Sequence, residues 1–424
     1  MNPQAHRLSR ADLVTLSRGG GGAVVVRNLV AARRSRTLLL IRYIIGTASS
    51  DERVRRAFEA LRNAHRRAPE AVARVLDDPF VGAWATRTAT GLKGGRPAAP
   101  ERLANVALAA AVLGRVDAVV TVSDAGRLIL PSMGIVQRQI SGDVGVRHTP
   151  EGTDVAEGVR IPLRWQDTAP AWHPFPRITV GAAGVSTSFS VDIWSPEELP
   201  TDLQISDQVD LPGWQDMATR TWDLLTSHHS EVAEGLAAGV SVLSPLRPVP
   251  SGMTSATLDD TFGCVFLSAA PNPLALALTL AHELHHTKLV ALMDLIPLVE
   301  PLPGERFYAP WREDPRPAAG LLHGTYAFTG VAAFWRRQRH HDPDLTPQAR
   351  AHADTEFARW RVAAARAAGT LLRSGRLTDL GVDFVTGMAA VLDDWCREEV
   401  PLAARRRAAQ LADEHWSRWV AAHR

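Results

Sequence analysis

An α+β fold, mostly helical, is what this 424-residue sequence predicts. Three observations carry that expectation. Apolar residues recur at helical spacing through the first and last parts of the chain. The middle switches to short alternating runs punctuated by glycine and proline. One long apolar helix, opening at Pro273, carries charged and imidazole side chains in its interior.

The chain divides into a helical N-terminal region, 1–115; a β-rich middle, 116–205; a region with the chemically distinctive helix, 206–340; and C-terminal helices, 341–424. In the first region the run Gly19 to Gly22 separates two segments. Residues 23–45 read as a helix with arginines on one side. Residues 53–76 have helical spacing, with Phe58, Leu61 and Val72 as apolar positions. The run GGRPAAPE breaks the pattern before a further helix at 103–113.

From about residue 116 the period changes. Strand-like runs on either side of Ser123-Asp-Ala-Gly resemble a hairpin. Further strands are expected at 144–147, 159–165, 178–180 and 186–194. The last alternates Phe189, Val191 and Ile193 with polar residues, while Pro162 and Pro176 point to edges or turns. Helix returns over 212–238, followed by brief strands at 241–243, 254–258 and 264–267. The long helix then runs from Pro273 to about Leu295 and stops before Pro297. A proline-rich loop extends to about Pro317. Helices follow at 321–337, after the N-cap pair Thr346-Pro347, along the stripe Val382, Val385, Met388, Leu392 and Trp395, and over 402–423. No fixed-period repeat is present.

Composition is that of an ordinary globular protein, with 46% hydrophobic and 22% charged residues, and the length suits two or three packed units. The balance of 47 basic against 45 acidic residues gives no argument for a nucleic-acid partner. The clusters Arg33, Arg34, Arg36 and Arg405, Arg406, Arg407 read as solvated helix faces. Cys264 and Cys396 are too few for a disulfide framework or a CxxC metal motif. The first residues show no signal-peptide pattern, and no run is long and apolar enough to cross a membrane. A cytoplasmic location is therefore expected.

The chemistry concentrates in LALALTLAHELHHTKLVALMDL. His282 and His286, four residues apart, share one helix face, and two imidazoles at that spacing can hold one first-row metal ion. Glu283 occupies the position that serves zinc peptidases as general base toward a metal-bound water. The competing reading is a helix with solvated histidines, against which the apolar flanks argue. His285 reads as a hydrogen-bonded core residue or as a support behind the ligands.

A third ligand is required. Leu289 and Leu292 stand where an HExxHxxGxxH site would have glycine and histidine, which removes that class. Glu300, Glu305, Glu313, Asp314 and His323 remain. A histidine in an apolar helix is ordinarily a satisfied core residue, but the unfilled coordination position favours His323, with Glu300 its best carboxylate rival. Arg312 and Arg316 lie in the intervening loop. Either suits the far carboxylate of a small dicarboxylate co-substrate, and an Arg–Asp staple with Asp314 is the plainer alternative.

Several segments together resemble a known family. HELHHTKLVALMDLIPL, YAPWREDPRPAAGLLHGTYAF and GVAAFWRR, with a weaker match in SRGGGGAVVVRNLVAARRSRTLLL, are similar to the HExxH-type 2-oxoglutarate-dependent peptide β-hydroxylases that modify ribosomally made peptides. The β-rich middle offers no matching motif. The resemblance implies iron(II) held by His282 and His286, with His323 third by position. It implies 2-oxoglutarate anchored by Arg316 or Arg312, with O2 as co-substrate and a short precursor peptide as substrate. Glu283 would then orient water or a ligand rather than act as a hydrolytic base. Two His and one carboxylate is the usual iron set, and a third histidine departs from it. The residues 251–267, strands before the metal helix, suggest a substrate peptide bound by strand addition.

Two alternatives stand beside this reading. One is a zinc metallopeptidase with Glu283 as base. The other is a non-catalytic peptide-binding or scaffold protein with a structural metal or none.

Overall fold

The computed structural model describes residues 6–123, 127–156, 158–192, 200, 203–206, 208–249, 252–301, 304–341 and 345–423. The N-terminal part holds α1 (Arg10–Ser17), α2 (Ala23–Thr47), α3 (Glu52–Arg67), α4 (Pro69–Leu76), α5 (Pro79–Lys93) and α6 (Leu103–Gly114). The stretch expected as one helix over 53–76 is two. Pro69 cannot continue α3, but it suits the first turn of α4, because its missing N–H is one that a first turn leaves unpaired anyway.

The middle is β-rich. It comprises β1 (Ala118–Val122), β2 (Leu128–Leu130), β3 (Gly134–Val136), β4 (Gly142–Thr149), β5 (Gly152–Val155), β6 (Arg160–Pro162), β7 (Trp172–Pro174), β8 (Arg177–Ala182) and β9 (Val185–Val191). The expected hairpin between the first two does not form. β1 pairs antiparallel with β4, whereas β2 pairs with β3 in a different sheet. Residues 124–126, where its turn would lie, fall outside the described residues. Pro162 does sit in an edge strand, since β6 ends the sheet β1-β4-β5-β6, where a missing ladder donor costs nothing.

The remainder runs α7 (Leu211–His228), α8 (Ser230–Gly239), β10 (Val242–Pro245), β11 (Ser255–Ala256), β12 (Cys264–Leu267), α9 (Pro273–Leu295), α10 (Ala318–His341), α11 (Pro347–Arg373), α12 (Asp379–Arg397) and α13 (Leu402–Ala422). The protein is therefore a mostly helical α+β fold with a β-rich middle, as expected. The single helix expected over 212–238 is two, broken at His229. In the stripe on α12, Val385, Met388, Leu392 and Trp395 are buried but Val382 is exposed.

Two large cores form. One gathers α3 to α6 with β1 to β7 around Ile44, Leu61, Leu108, Val144 and Trp172. The other packs β8, β9, α7 and α8 with α9 to α12 around Trp222, Leu284, Tyr326, Phe357 and Met388. Helix α2 spans both, with Leu29 in the second and Ile41 and Ile44 in the first. Its arginines are not the solvated face expected. Arg33 is 7% exposed, pairs with Asp294 at the end of α9 and donates to the Asp259 carbonyl. Arg34 pairs with Asp77 through Nε at 2.7 Å, and Arg36 with Asp294 at 3.4 Å. A buried guanidinium needs such partners, and spacing along one helix does not reveal carboxylates that arrive from elsewhere in the chain. Arg405, Arg406 and Arg407 are exposed, as expected.

The sheet that positions the site is mixed, in the order β11-β12-β10-β9-β8. β10 runs parallel to both β9 and β12, while β8 and β11 pair antiparallel at the two edges. Helix α9 contacts β11 and packs among α2, α7, α8 and α10. Among the described residues, no helix is long and apolar enough to cross a membrane.

Candidate metal centre

Helix α9 starts sharply. Asn272 accepts a hydrogen bond from the Ala275 N–H at 2.9 Å, and Pro273 takes the first turn. Its next three turns bury Leu276, Leu280, Leu284 and Leu289 in the second core. The polar residues are thereby carried to fixed directions by backbone geometry.

His282 and His286 meet. Their Nε2 atoms are 3.1 Å apart and the rings cross edge to face at 4.8 Å. Two nitrogens, each about 2.1 Å from a common first-row ion, lie roughly 3.0–3.4 Å apart for bond angles between a right angle and tetrahedral. The pair fits that geometry. Both rings keep some accessible surface. Burial lowers the His282 pKa, with Glu283 partly opposing. It holds His286 well below the ordinary imidazole range, and the neighbouring histidines push the same way. Both are thus kept in the neutral form that binds metals.

His323, in the first turns of α10, stacks on His286 with centroids 5.8 Å apart and planes 21° from parallel. Burial lowers its pKa, Asp259 opposes, and Arg316 adds to the lowering. The three histidines are neighbours, but only His282 and His286 face each other at ligand spacing. Among the described residues, no group of three or more His, Cys, Asp or Glu side chains is set to hold a metal ion. The carboxylate candidates lie elsewhere. Asp314 is held by Arg312 and Arg316, Glu313 pairs with Arg418 at 3.5 Å, and Glu300 and Glu305 are exposed.

Glu283 is buried and both carboxylate oxygens are occupied. Ser255 donates to Oε1 at 2.7 Å, and Thr257 donates to Oε2 at 2.6 Å. Edge strand β11 and the residue following it therefore hold this side chain. His285 turns to the opposite side of α9, with Nδ1 at 2.8 Å from the Ala281 carbonyl and Nε2 at 3.1 Å from the Gly19 carbonyl. Lys288 joins it there, donating to the carbonyls of Gly19 and Gly20 at 2.9 and 3.0 Å.

The two arginines differ. Arg312 is half exposed and donates to Asp314 at 2.7 Å. Arg316 is less exposed, donates to the other Asp314 oxygen at 3.1 Å and lies over Gly320, one helical turn before His323. The loop between α9 and α10 is closed by the bridge Phe307–Arg316 and pressed onto α10 by Trp311. A Cβ at Gly324 would come within 2.4 Å of the Trp311 indole, so only glycine admits this approach. Trp311 stacks on Phe328 at 4.7 Å, and Phe328 meets the edge of His282 at 5.2 Å.

Sequence spacing did not point to Ser255, Thr257, Phe328 or Trp311. The hydroxyl-rich TSAT run ahead of a buried glutamate was the available signal. No protein-family profile and no curated protein matches the chain.

Proposed function

We propose that this protein is an iron(II)- and 2-oxoglutarate-dependent hydroxylase acting on the β-carbon of a side chain in a ribosomally made precursor peptide. The observation that carries the reading is the pair of neutral imidazoles on α9 with facing nitrogens 3.1 Å apart, floored by α10 and bordered by Arg316. His282 and His286 would hold the iron, with His323 as third ligand. With 2-oxoglutarate and O2, that iron would supply insertion of one oxygen atom into a C–H bond, the other oxygen leaving in succinate as CO2 is released.

The chain's own residues would bind, orient and shield. Arg316 is the better anchor for the far carboxylate, because it lies beside His323 and has Asp314 to fix its guanidinium. Phe328 and Trp311 exclude water on the His282 side. Glu283 would hold β11 against the metal helix through Ser255 and Thr257. A carboxylate with both oxygens so engaged is poorly placed as a hydrolytic base, which weighs against a zinc peptidase. Edge strand β11, directly above Glu283, offers backbone groups to an extended substrate.

The test is anaerobic iron(II) titration of the purified apoprotein, with and without 2-oxoglutarate, followed by visible absorption. A weak charge-transfer band that needs both, and is lost in His282→Ala, supports the reading. Tight stoichiometric zinc binding without such a band, together with chelator-sensitive cleavage of casein that Glu283→Gln abolishes, replaces it with the peptidase.

A further inference from the structure

Beyond the histidines, the loop before α10 reaches α13. The Tyr308 hydroxyl is 2.7 Å from His415 Nδ1, and its ring meets Trp416 at 4.8 Å and Trp419 at 5.2 Å. The two indoles stack at 5.5 Å, and Trp419 stacks on His423 at 4.6 Å. Trp416 is 48% exposed, and Trp419 Nε1, hidden from solvent, has no acceptor among the described residues.

Cations border these rings. Arg359, Arg366 and Arg418 all lie within electrostatic range of Tyr308. Arg418 pairs with Glu313, whereas Arg359 and Arg366 have no carboxylate partner among the described residues. Arg359 lies 4.2 Å over the ring of Trp360. Trp360 meets Phe328 at 4.4 Å, and Phe328 meets His282. The rings of Trp416, Trp419 and Tyr308 thus form one contiguous set at α13, and Arg359, Trp360 and Phe328 form a second that reaches the metal helix, with the charge of Arg359 bearing on Tyr308. Isolated surface aromatics need no explanation; a contiguous set of Trp, Tyr and Arg does, since these types dominate binding energy at interfaces.

We infer that these two sets together form a docking track for an extended acidic peptide with apolar side chains, delivering its downstream part to His282. The inference deepens the peptide-hydroxylase reading and rests on it for the identity of the delivered segment. Carboxylates on the peptide pair with Arg359 and Arg366, and its apolar side chains cover Trp416 and Trp419. Unpaired arginines select an acidic occupant over a basic one, and the linear order of the rings suits an extended chain.

The test uses the full-length protein without metal and a short fluorescein-labelled peptide of repeating Glu-Leu-Asp-Phe, read by anisotropy. A counterpart with lysine at each acidic position is the control. The acidic peptide is expected to bind about tenfold or more tightly than the basic one, and to weaken with salt. Arg359→Glu with Arg366→Glu, and separately Trp416→Ser, are each expected to weaken it about tenfold. Arg366 and Trp416 are exposed, so far-UV dichroism and the denaturation midpoint of these variants should match wild type. Equal binding of both peptides, or wild-type binding by the variants, overturns the track. So does conversion of a dimer to a monomer by Trp416→Ser in sedimentation, which would make this face a contact between copies. Because binding is read without metal or turnover, its failure is separable from failure of the hydroxylase reading.

Discussion

The two sides of α9 handle buried polar groups in opposite ways. On the back, Lys288 donates to the carbonyls of Gly19 and Gly20, and His285, kept neutral by burial, has one N–H for the carbonyl of Ala281 or of Gly19. On the front, the Nε2 atoms of His282 and His286 face each other and have no other hydrogen-bond partner among the described residues. The same residue type, histidine, serves both sides within one turn. Polar groups fully absorbed by backbone hold the fold, whereas imidazoles facing one another leave coordination capacity for something else. The back face also accounts for the Gly-rich run: Gly19 and Gly21 take positive φ, 79° and 96°, where L side chains are strained, as the run turns its carbonyls to α9.

Substitutions can break this comparison. The largest effect is expected on the front: His286→Ala should lower metal affinity by at least about 100-fold, measured by competition with a chromophoric chelator, while the denaturant midpoint stays near wild type. A large loss of stability instead would make the pair structural. On the back the pattern should reverse. Lys288→Met leaves the Gly20 carbonyl without its donor, removes one contact from Gly19 and should cost about 2 kcal/mol in chemical denaturation, with metal affinity almost unchanged. Gly330→Ala tests the same side. Its Cβ would fall 2.4 Å from the His285 ring, so a loss of about 1–3 kcal/mol is expected, and a neutral result would show that His285 is free to move.

Two smaller effects sharpen the front. Ser255→Ala removes one of the two donors to Glu283 and should cost about 1.5–3 kcal/mol of stability; no change would mean that the carboxylate is not held by β11. Arg316→Ala should raise the concentration of 2-oxoglutarate needed for the charge-transfer band, while Arg312→Ala, half exposed and tied to Asp314, should shift it little. Equal effects would move the anchor away from Arg316.

Much of the architecture was legible because it is local. The Pro273 start and the Thr346 cap were readable from residue type, and Thr346 does accept from the Ala349 N–H. The break between α3 and α4 was also local, but the surrounding helical period masked it. The hairpin failed for a different reason. β1 finds its partner in β4, some twenty residues on, and nothing in either strand's own alternation names that partner. Arg33 failed similarly, since Asp294 lies far away in sequence.

For the site the division is the same. Sequence alone determined that His282 and His286 share a helix face, because a four-residue spacing on an α-helix leaves them nowhere else to be. It also separated Glu283 from that face by a fixed angle. Tertiary structure decided the rest: that His323 stacks on His286, that Ser255 and Thr257 occupy Glu283, that Arg316 lies over Gly320, one turn from His323, and that Trp311 closes over Gly324. Each depends on two segments packed together by burial of apolar surface, which is non-directional and leaves no local periodicity to read.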